Sequence, residues 1–244
     1  MRLAIISDIH GNLPALEAVL SAIEETAPDE LWCLGDVVGY GAQPDECARL
    51  VSERCALSLV GNHDLAVLGE IPVGAFSPSA AEAVTWTERN AAPETLEYLR
   101  GLRPADEGRE VALYHASPRD PVWEYVLWAD QAEENLAAQA ARVSLIGHSH
   151  VALYFVAPDE DSDVRGAQGE AGSSLEVREG RWLINPGSVG QPRDGDPRAA
   201  WMELDTEAWT VTYRRSGYEI ERAAEAIAEA GLPEQLAARL FVGQ

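Results

Sequence analysis

Apolar positions along the first sixty residues switch repeatedly between strand-like and helix-like spacing. Arg2–Ile6 is a short aliphatic run that reads as a buried strand. Pro14 then opens a helical pattern of Leu16, Val19, Leu20 and Ile23 reaching to Ala27, proline being suited to a first helical turn. Residues 30–34 predict a second strand, 44–53 a helix and 56–60 a third strand. Strands alternating with helices at this spacing predict α/β architecture.

Residues 77–101 read as helical with breaks at Pro78 and Pro93, and Trp86 and Tyr98 within them read as core. Strand signals resume at 110–114, 143–146 and 151–156, with an alanine-rich helix over 130–141. Residues 157–172 are acidic, glycine-rich and without periodicity, which predicts a solvated, mobile loop; no EF-hand spacing supports calcium there. Strands are expected at 174–178, 181–184, 199–204 and 210–214, followed by helices at 220–230 and 233–240. This late hairpin succession predicts a second sheet or an antiparallel edge on the first. With neither a repeat nor a linker evident, residues 1–244 read as a single domain.

Composition narrows the class. Apolar residues are 46% and charged residues 24%, as in ordinary globular proteins. No apolar run approaches the roughly 18 residues of a membrane span. The N-terminal run is too short for a signal peptide and stops at Asp8. Cys33, Cys47 and Cys55 have no metal-binding spacing, so the expectation is a reduced, cytoplasmic protein. The net charge is −23, from 41 acidic and 18 basic residues, and every basic residue is arginine. Without lysine, a Walker-type phosphate loop and Schiff-base chemistry are excluded. So acidic a surface repels a nucleic-acid backbone.

All 5 histidines fall in four short stretches: Asp8-Ile9-His10, Asn62-His63-Asp64, His115-Ala116-Ser117-Pro118 and Gly147-His148-Ser149-His150. Each stretch follows a predicted strand, and in an open α/β sheet ligands bind beyond the carboxyl ends of strands. Singly, each is an ordinary turn; together they bring His10, Asp36, Asn62, His115, His148 and His150 to one crevice. Asp8-x-His10 and His148-x-His150 are expected to project both side chains to one side of extended backbone. Carboxylate, imidazole and amide oxygen suit divalent manganese, iron or zinc, and the lack of cysteine argues against structural zinc. Two oxygens and four imidazoles, with Asp36 available to bridge, exceed one ion's needs. Two ions about 3.5–4 Å apart would use them all.

The ordered series Asp8-x-His10, Gly35-Asp36, Gly61-Asn62-His63-Asp64, His115 and Gly147-His148-Ser149-His150 resembles the calcineurin-like metallophosphoesterase family, closest to its small bacterial and archaeal phosphodiesterase-type members. Asn185-Pro186-Gly187-Ser188 resembles a late motif of those members. The resemblance implies a four-layer αββα sandwich of two mixed β-sheets flanked by helices. It implies a first divalent ion on Asp8, His10 and His150 and a second on Asn62, His115 and His148, with Asp36 bridging. Manganese is the leading expectation, with iron, zinc, nickel and cobalt as alternatives. A metal-bridging hydroxide would attack a small phosphodiester or phosphomonoester, with His63 as general acid and Asp64 as its orienter. The fourth motif departs from the family in carrying Ala116 where glycine is usual, a change that matters only if that backbone needs positive φ.

A nuclease is disfavoured by the charge, and a metal-free scaffold by the complete ligand set; a regulatory protein with little turnover and a homo-oligomer stay open. Neither nucleic acid nor membrane is an expected partner. Arg193 reads as a surface arginine in a polar turn, with a reach to substrate phosphate as the alternative. Trp123, Tyr125 and Trp128 read as an apolar wall or lid, or as a partner interface.

Overall fold

The computed structural model describes residues 1–159 and 162–244. The chain opens with β1 (Arg2–Ile6), α1 (Leu13–Thr26), β2 (Glu30–Cys33), α2 (Pro44–Arg54), β3 (Leu57–Ser58) and α3 (Asn62–Val67). Asn12 caps α1, its side chain accepting from the Ala15 N–H at 3.2 Å, and Leu16, Val19, Leu20 and Ile23 form its buried stripe. Next come α4 (Pro78–Asn90), α5 (Pro93–Arg100), β4 (Ala105–Asp106), β5 (Val111–Tyr114), α6 (Ala129–Ala138), β6 (Val143–Leu145), β7 (Ala152–Ala157) and β8 (Arg165–Gln168). Pro78 and Pro93 begin helices rather than break one, each standing in a first turn that has no N–H to lose. The chain ends with β9 (Ser174–Glu176), β10 (Arg181–Pro186), β11 (Ala199–Asp205), β12 (Thr210–Ser216), α7 (Ile220–Glu229) and α8 (Glu234–Leu240).

Two six-stranded mixed sheets result, ordered β3-β2-β1-β11-β12-β9 and β4-β5-β6-β10-β7-β8. Alternation along the strands assigns each residue to a layer. Leu3 and Ile5 of β1 meet Leu113, Leu145, Ile184 and Met202 in the core between the sheets. Ala4 and Ile6 turn the other way, onto α1 and α2. Tyr114, Leu153 and Leu183 cover the outer face of the second sheet beneath Ala132 and Leu136 of α6. With helices on both outer faces, this is the four-layer sandwich, and burial on both sides explains why the strands read as continuous apolar runs. Trp86 and Tyr98 are partly buried against the apolar clusters, as expected of core residues.

Three expectations need correction. Residues 157–172 are not all loop: β8 pairs antiparallel with β7, its exposed side chains giving no apolar signal to read. Glu160 and Asp161 of that stretch lie outside the described residues. The helix expected over 130–141 is α6, which ends at Ala138 with Gln139 in extended backbone. The tail strands do not form one hairpin succession: β9, β11 and β12 join the first sheet, while β10 joins the second beside β6.

The parallel pairs matter most for the site. β1, β2 and β3 run parallel in one sheet, and β5, β6 and β10 run parallel in the other. Six carboxyl ends therefore deliver their following loops to one edge of the sandwich.

Candidate metal centre

Five of the six loops at that edge carry the predicted set: Asp8 and His10 after β1, Asp36 after β2, Asn62 and His63 after β3, His115 after β5, and His148 and His150 after β6. The backbone is not the extended one expected. Asp8, His10, Asp36, His148 and His150 all have φ between 51° and 63°. A left-handed residue with a side chain costs about 1–2 kcal/mol. Five in one crevice mark strain of the kind that persists at functional sites. Main-chain bonds across the gap hold these turns: the Asp8 N–H donates to Gly35 O at 3.0 Å, and the His10 N–H to Asp36 O at 2.9 Å. The Asn185 motif braces them further. Ser188 Oγ donates to Asp8 O at 2.7 Å, and Asn185 Nδ2 donates to Gly147 O at 2.6 Å.

Side-chain orientation follows from a repeated device. Nδ1 of His10, His115 and His150 faces Val38 O at 3.1 Å, Leu34 O at 2.9 Å and Gln191 O at 2.7 Å. A carbonyl only accepts, so each Nδ1 carries the proton and each Nε2 presents a lone pair to the crevice. His148 is reversed, with Nε2 donating to Trp123 O at 3.2 Å and Nδ1 left to face inward. Ligand atoms of Asp8, His10, Asp36 and His150 lie within 4.8 Å of one another, and so do those of Asp36, His115 and His148. Asp36 belongs to both clusters. Its Oδ2 is 3.6 Å from Nε2 of His10 and 3.6 Å from Nε2 of His115. Asn62 Oδ1 lies 3.2 Å from His115 Nε2.

This arrangement fits cations and little else. His10 Nε2 and His150 Nε2 stand 3.0 Å apart, lone pair toward lone pair. Asp36 Oδ2 is buried without a hydrogen-bond partner, an arrangement a protein interior rarely tolerates. Burial holds His10, His148 and His150 well below the ordinary histidine range, so they are neutral, the form that binds metal. Burial also pushes Asp8 up to about 7 and raises Asp36 well above the carboxylate range, with the neighbouring Asp64 adding to the rise.

His63 and Asp64 part company. The Asp64 carboxylate accepts from the N–H groups of Val37 at 3.3 Å, Val38 at 3.0 Å and Gly61 at 2.9 Å. His63 Nδ1 is buried and has no partner. The expected orienting bond between them is therefore absent, because main-chain donors fully engage Asp64. The His63 ring is held by packing instead, 4.3 Å from Tyr40, 4.8 Å from His10 and 4.9 Å from Phe76. Gly39, at φ +87°, makes room for it, since a Cβ there would lie 2.6 Å from His63 Nδ1. Ala116 is not among the left-handed positions, so its Cβ costs nothing.

A model of the calcineurin-like phosphoesterase superfamily domain matches residues 1–207. The chain belongs to that superfamily. The solved structure of a metallophosphoesterase from Sphaerobacter thermophilus is 41% identical with a TM-score of 0.91, covering 100% of this chain and 99% of that one. An uncharacterised protein of Methanocaldococcus jannaschii is 38% identical over 99% of this chain and 98% of its own. A symmetrical bis(5'-nucleosyl)-tetraphosphatase of Actinobacillus pleuropneumoniae is 39% identical over 28% of this chain and 26% of its own length.

Around the crevice, this calcineurin-like phosphoesterase carries a rim that its motifs do not announce. Tyr125 stacks on His148 with centroids 4.2 Å apart, and Trp123 meets Phe76 at 5.1 Å. Trp128 is 70% exposed beside Leu127 and Val151, so it is no part of the rim. Arg193 is not the surface arginine expected. It is half-buried, with Nη2 3.3 Å from the Tyr40 hydroxyl and 3.0 Å from Gln191 Oε1. Tyr40, Phe76 and Gln191 were missed as site residues. An aromatic inside a Gly-rich motif loop, as Tyr40 is, was the one available signal. Among the described residues, no helix is long and apolar enough to cross a membrane.

Proposed function

We propose that this protein is a binuclear metal-dependent phosphoesterase acting on a small phosphate ester. The observation that carries the reading is the paired orientation of four imidazoles, each fixed by a main-chain carbonyl, about the shared Asp36. Asp8, His10 and His150 would hold one divalent cation and Asn62, His115 and His148 the other, with Asp36 common to both. Manganese suits this oxygen and imidazole set, as do iron, zinc, nickel and cobalt. Bound there, the cations supply Lewis-acid stabilisation of the phosphoryl oxygens and lower the pKa of the attacking water.

The chain's own groups do the rest. His63, at the edge of the crevice, donates a proton to the departing oxygen or stabilises its charge. Asp64 keeps the Gly61 and Val37–Val38 backbone in place, which sets the direction of Asn62 and His63. Phe76, Trp123 and Tyr125 exclude water on one side and offer an apolar face to the leaving group. The tetraphosphatase relative and the charge of −23 both favour a small substrate over nucleic acid. Free Cys33, Cys47 and Cys55 agree with a cytoplasmic setting.

The test is hydrolysis of an aryl phosphodiester and an aryl phosphomonoester by metal-stripped protein reloaded with Mn²⁺. Restored turnover of either ester supports the reading. Metal uptake without turnover of either would shift the protein to a regulatory role.

A further inference from the structure

Arginines are scarce here, 18 against 41 acidic residues. A half-buried arginine without a carboxylate is therefore informative, because the fold has partners to spare. Arg193 and Arg239 are two such residues, and among the described residues neither lies within 4.0 Å of a carboxylate. Asp194, next to Arg193, is committed to Arg215 in a buried ion pair. Arg193 meets only the neutral Tyr40 hydroxyl and Gln191 amide, and its Nε is buried without a partner.

Arg239 is delivered to the same rim by the C-terminal helices. Leu236 and Leu240 of α8 pack in one apolar cluster with Tyr40, and Leu240 shares a small cavity with His10, Tyr40 and Gln191. The turn after α8 is fastened to the Arg193 loop, the Gly195 N–H donating to Gly243 O at 3.0 Å. Burial lowers the pKa of Arg239 and the charge of Arg193 lowers it further, while Tyr40 and Tyr125 raise it. Arg239 thus stands on the helical turn that packs against Tyr40, whose hydroxyl meets Arg193.

We propose that Arg193 and Arg239 form a second anion subsite, which receives a phosphoryl group of the substrate other than the one hydrolysed. The proposal rests on the phosphoesterase reading and makes the substrate class one with at least two linked phosphoryl groups. The phosphoryl at the metal centre has its charge met by cations. A neighbouring phosphoryl needs a counter-charge of its own, and guanidinium forks match its oxygens. Arg239 lies beyond residues 1–207, the span matched by the superfamily model, so this subsite depends on the chain's own C-terminal helices.

The test compares binding of tripolyphosphate and inorganic phosphate to metal-stripped protein by calorimetry, which also avoids chelation. Wild type is expected to bind tripolyphosphate about tenfold tighter than phosphate, and Arg239→Gln to weaken tripolyphosphate binding about tenfold. Arg193→Lys is expected to fall between Arg193→Gln and wild type, since the charge is kept and the fork lost. Arg222→Gln, at a surface ion pair with Glu17, is the control expected to bind like wild type. Thermal melts check each fold, and Arg239→Gln on a terminal helix keeps the test alive if Arg193→Gln does not fold. Absence of tripolyphosphate binding, or equal binding by wild type and Arg239→Gln, overturns the proposal. If that happens while Mn²⁺-loaded protein still cleaves aryl esters, the subsite fails and the phosphoesterase reading stands. Arg239-dependent binding without ester cleavage would leave an anion site at the rim but overturn the phosphoesterase reading and, with it, the subsite's role toward a substrate.

Discussion

At the floor of the site, four imidazoles are each tied through one nitrogen to a main-chain carbonyl, and five residues sit in left-handed backbone. At the rim, Tyr40, Phe76, Trp123, Tyr125 and Arg193 hold their places by ring packing and side-chain bonds, and Tyr125 is 42% exposed. The floor is over-determined, as the fixed ligand directions of the proposed metal centre would require. The rim is set by looser contacts between distant segments, which leaves it freer to change than the floor. On the proposed reading, reaction class belongs to the floor and substrate choice to the rim.

The sharpest way to break this division is Asp36→Asn. It removes the group common to both clusters, and kcat of the Mn²⁺-loaded protein should fall by about two orders of magnitude or more. His63→Ala should lower kcat by about two orders while leaving metal content unchanged by elemental analysis. A matching loss of metal would make His63 a ligand instead. Gly39→Ala should push kcat toward the His63→Ala value, because its Cβ meets the His63 ring, and should lower stability by about 1–2 kcal/mol in denaturant melts.

Acidity sharpens the comparison in another way. Asp8 sits at about 7 through burial, so it holds a proton at pH 6 that metal must displace, whereas His10, His148 and His150 are already neutral there. Apparent Mn²⁺ affinity should therefore fall as pH drops below about 7, with more protons released on loading at pH 6 than at pH 8. Calorimetry in buffers of different ionisation enthalpy measures this. The smallest effect is expected at the rim. Tyr125→Ala should raise KM about three- to tenfold, the worth of one aromatic contact, with kcat little changed.

The floor was legible in the sequence because each candidate ligand lies within about five residues of a strand end, and six parallel strand ends converge by topology alone. The reason offered for Asp8-x-His10 was nonetheless wrong. Both residues project into the crevice from left-handed turns locked by Gly35 and Asp36 carbonyls, and no side-chain alternation in the sequence reveals such turns. Asp64 looked like a partner for His63 because it is adjacent, yet a helix start turned it toward three backbone N–H groups. Rim residues carry no local pattern. Arg193 and Arg239 are 46 positions apart in sequence, and only the docking of α8 on the Tyr40 loop joins them. β4 and α3 span 2 and 6 residues, too few for any periodicity to show.

Metal stoichiometry tests the central claim most directly. Metal-stripped protein titrated with Mn²⁺ and analysed by elemental mass spectrometry should take up two equivalents per chain, and His115→Ala one. Uptake of no metal, or of a single equivalent that His115→Ala leaves unchanged, would contradict the account.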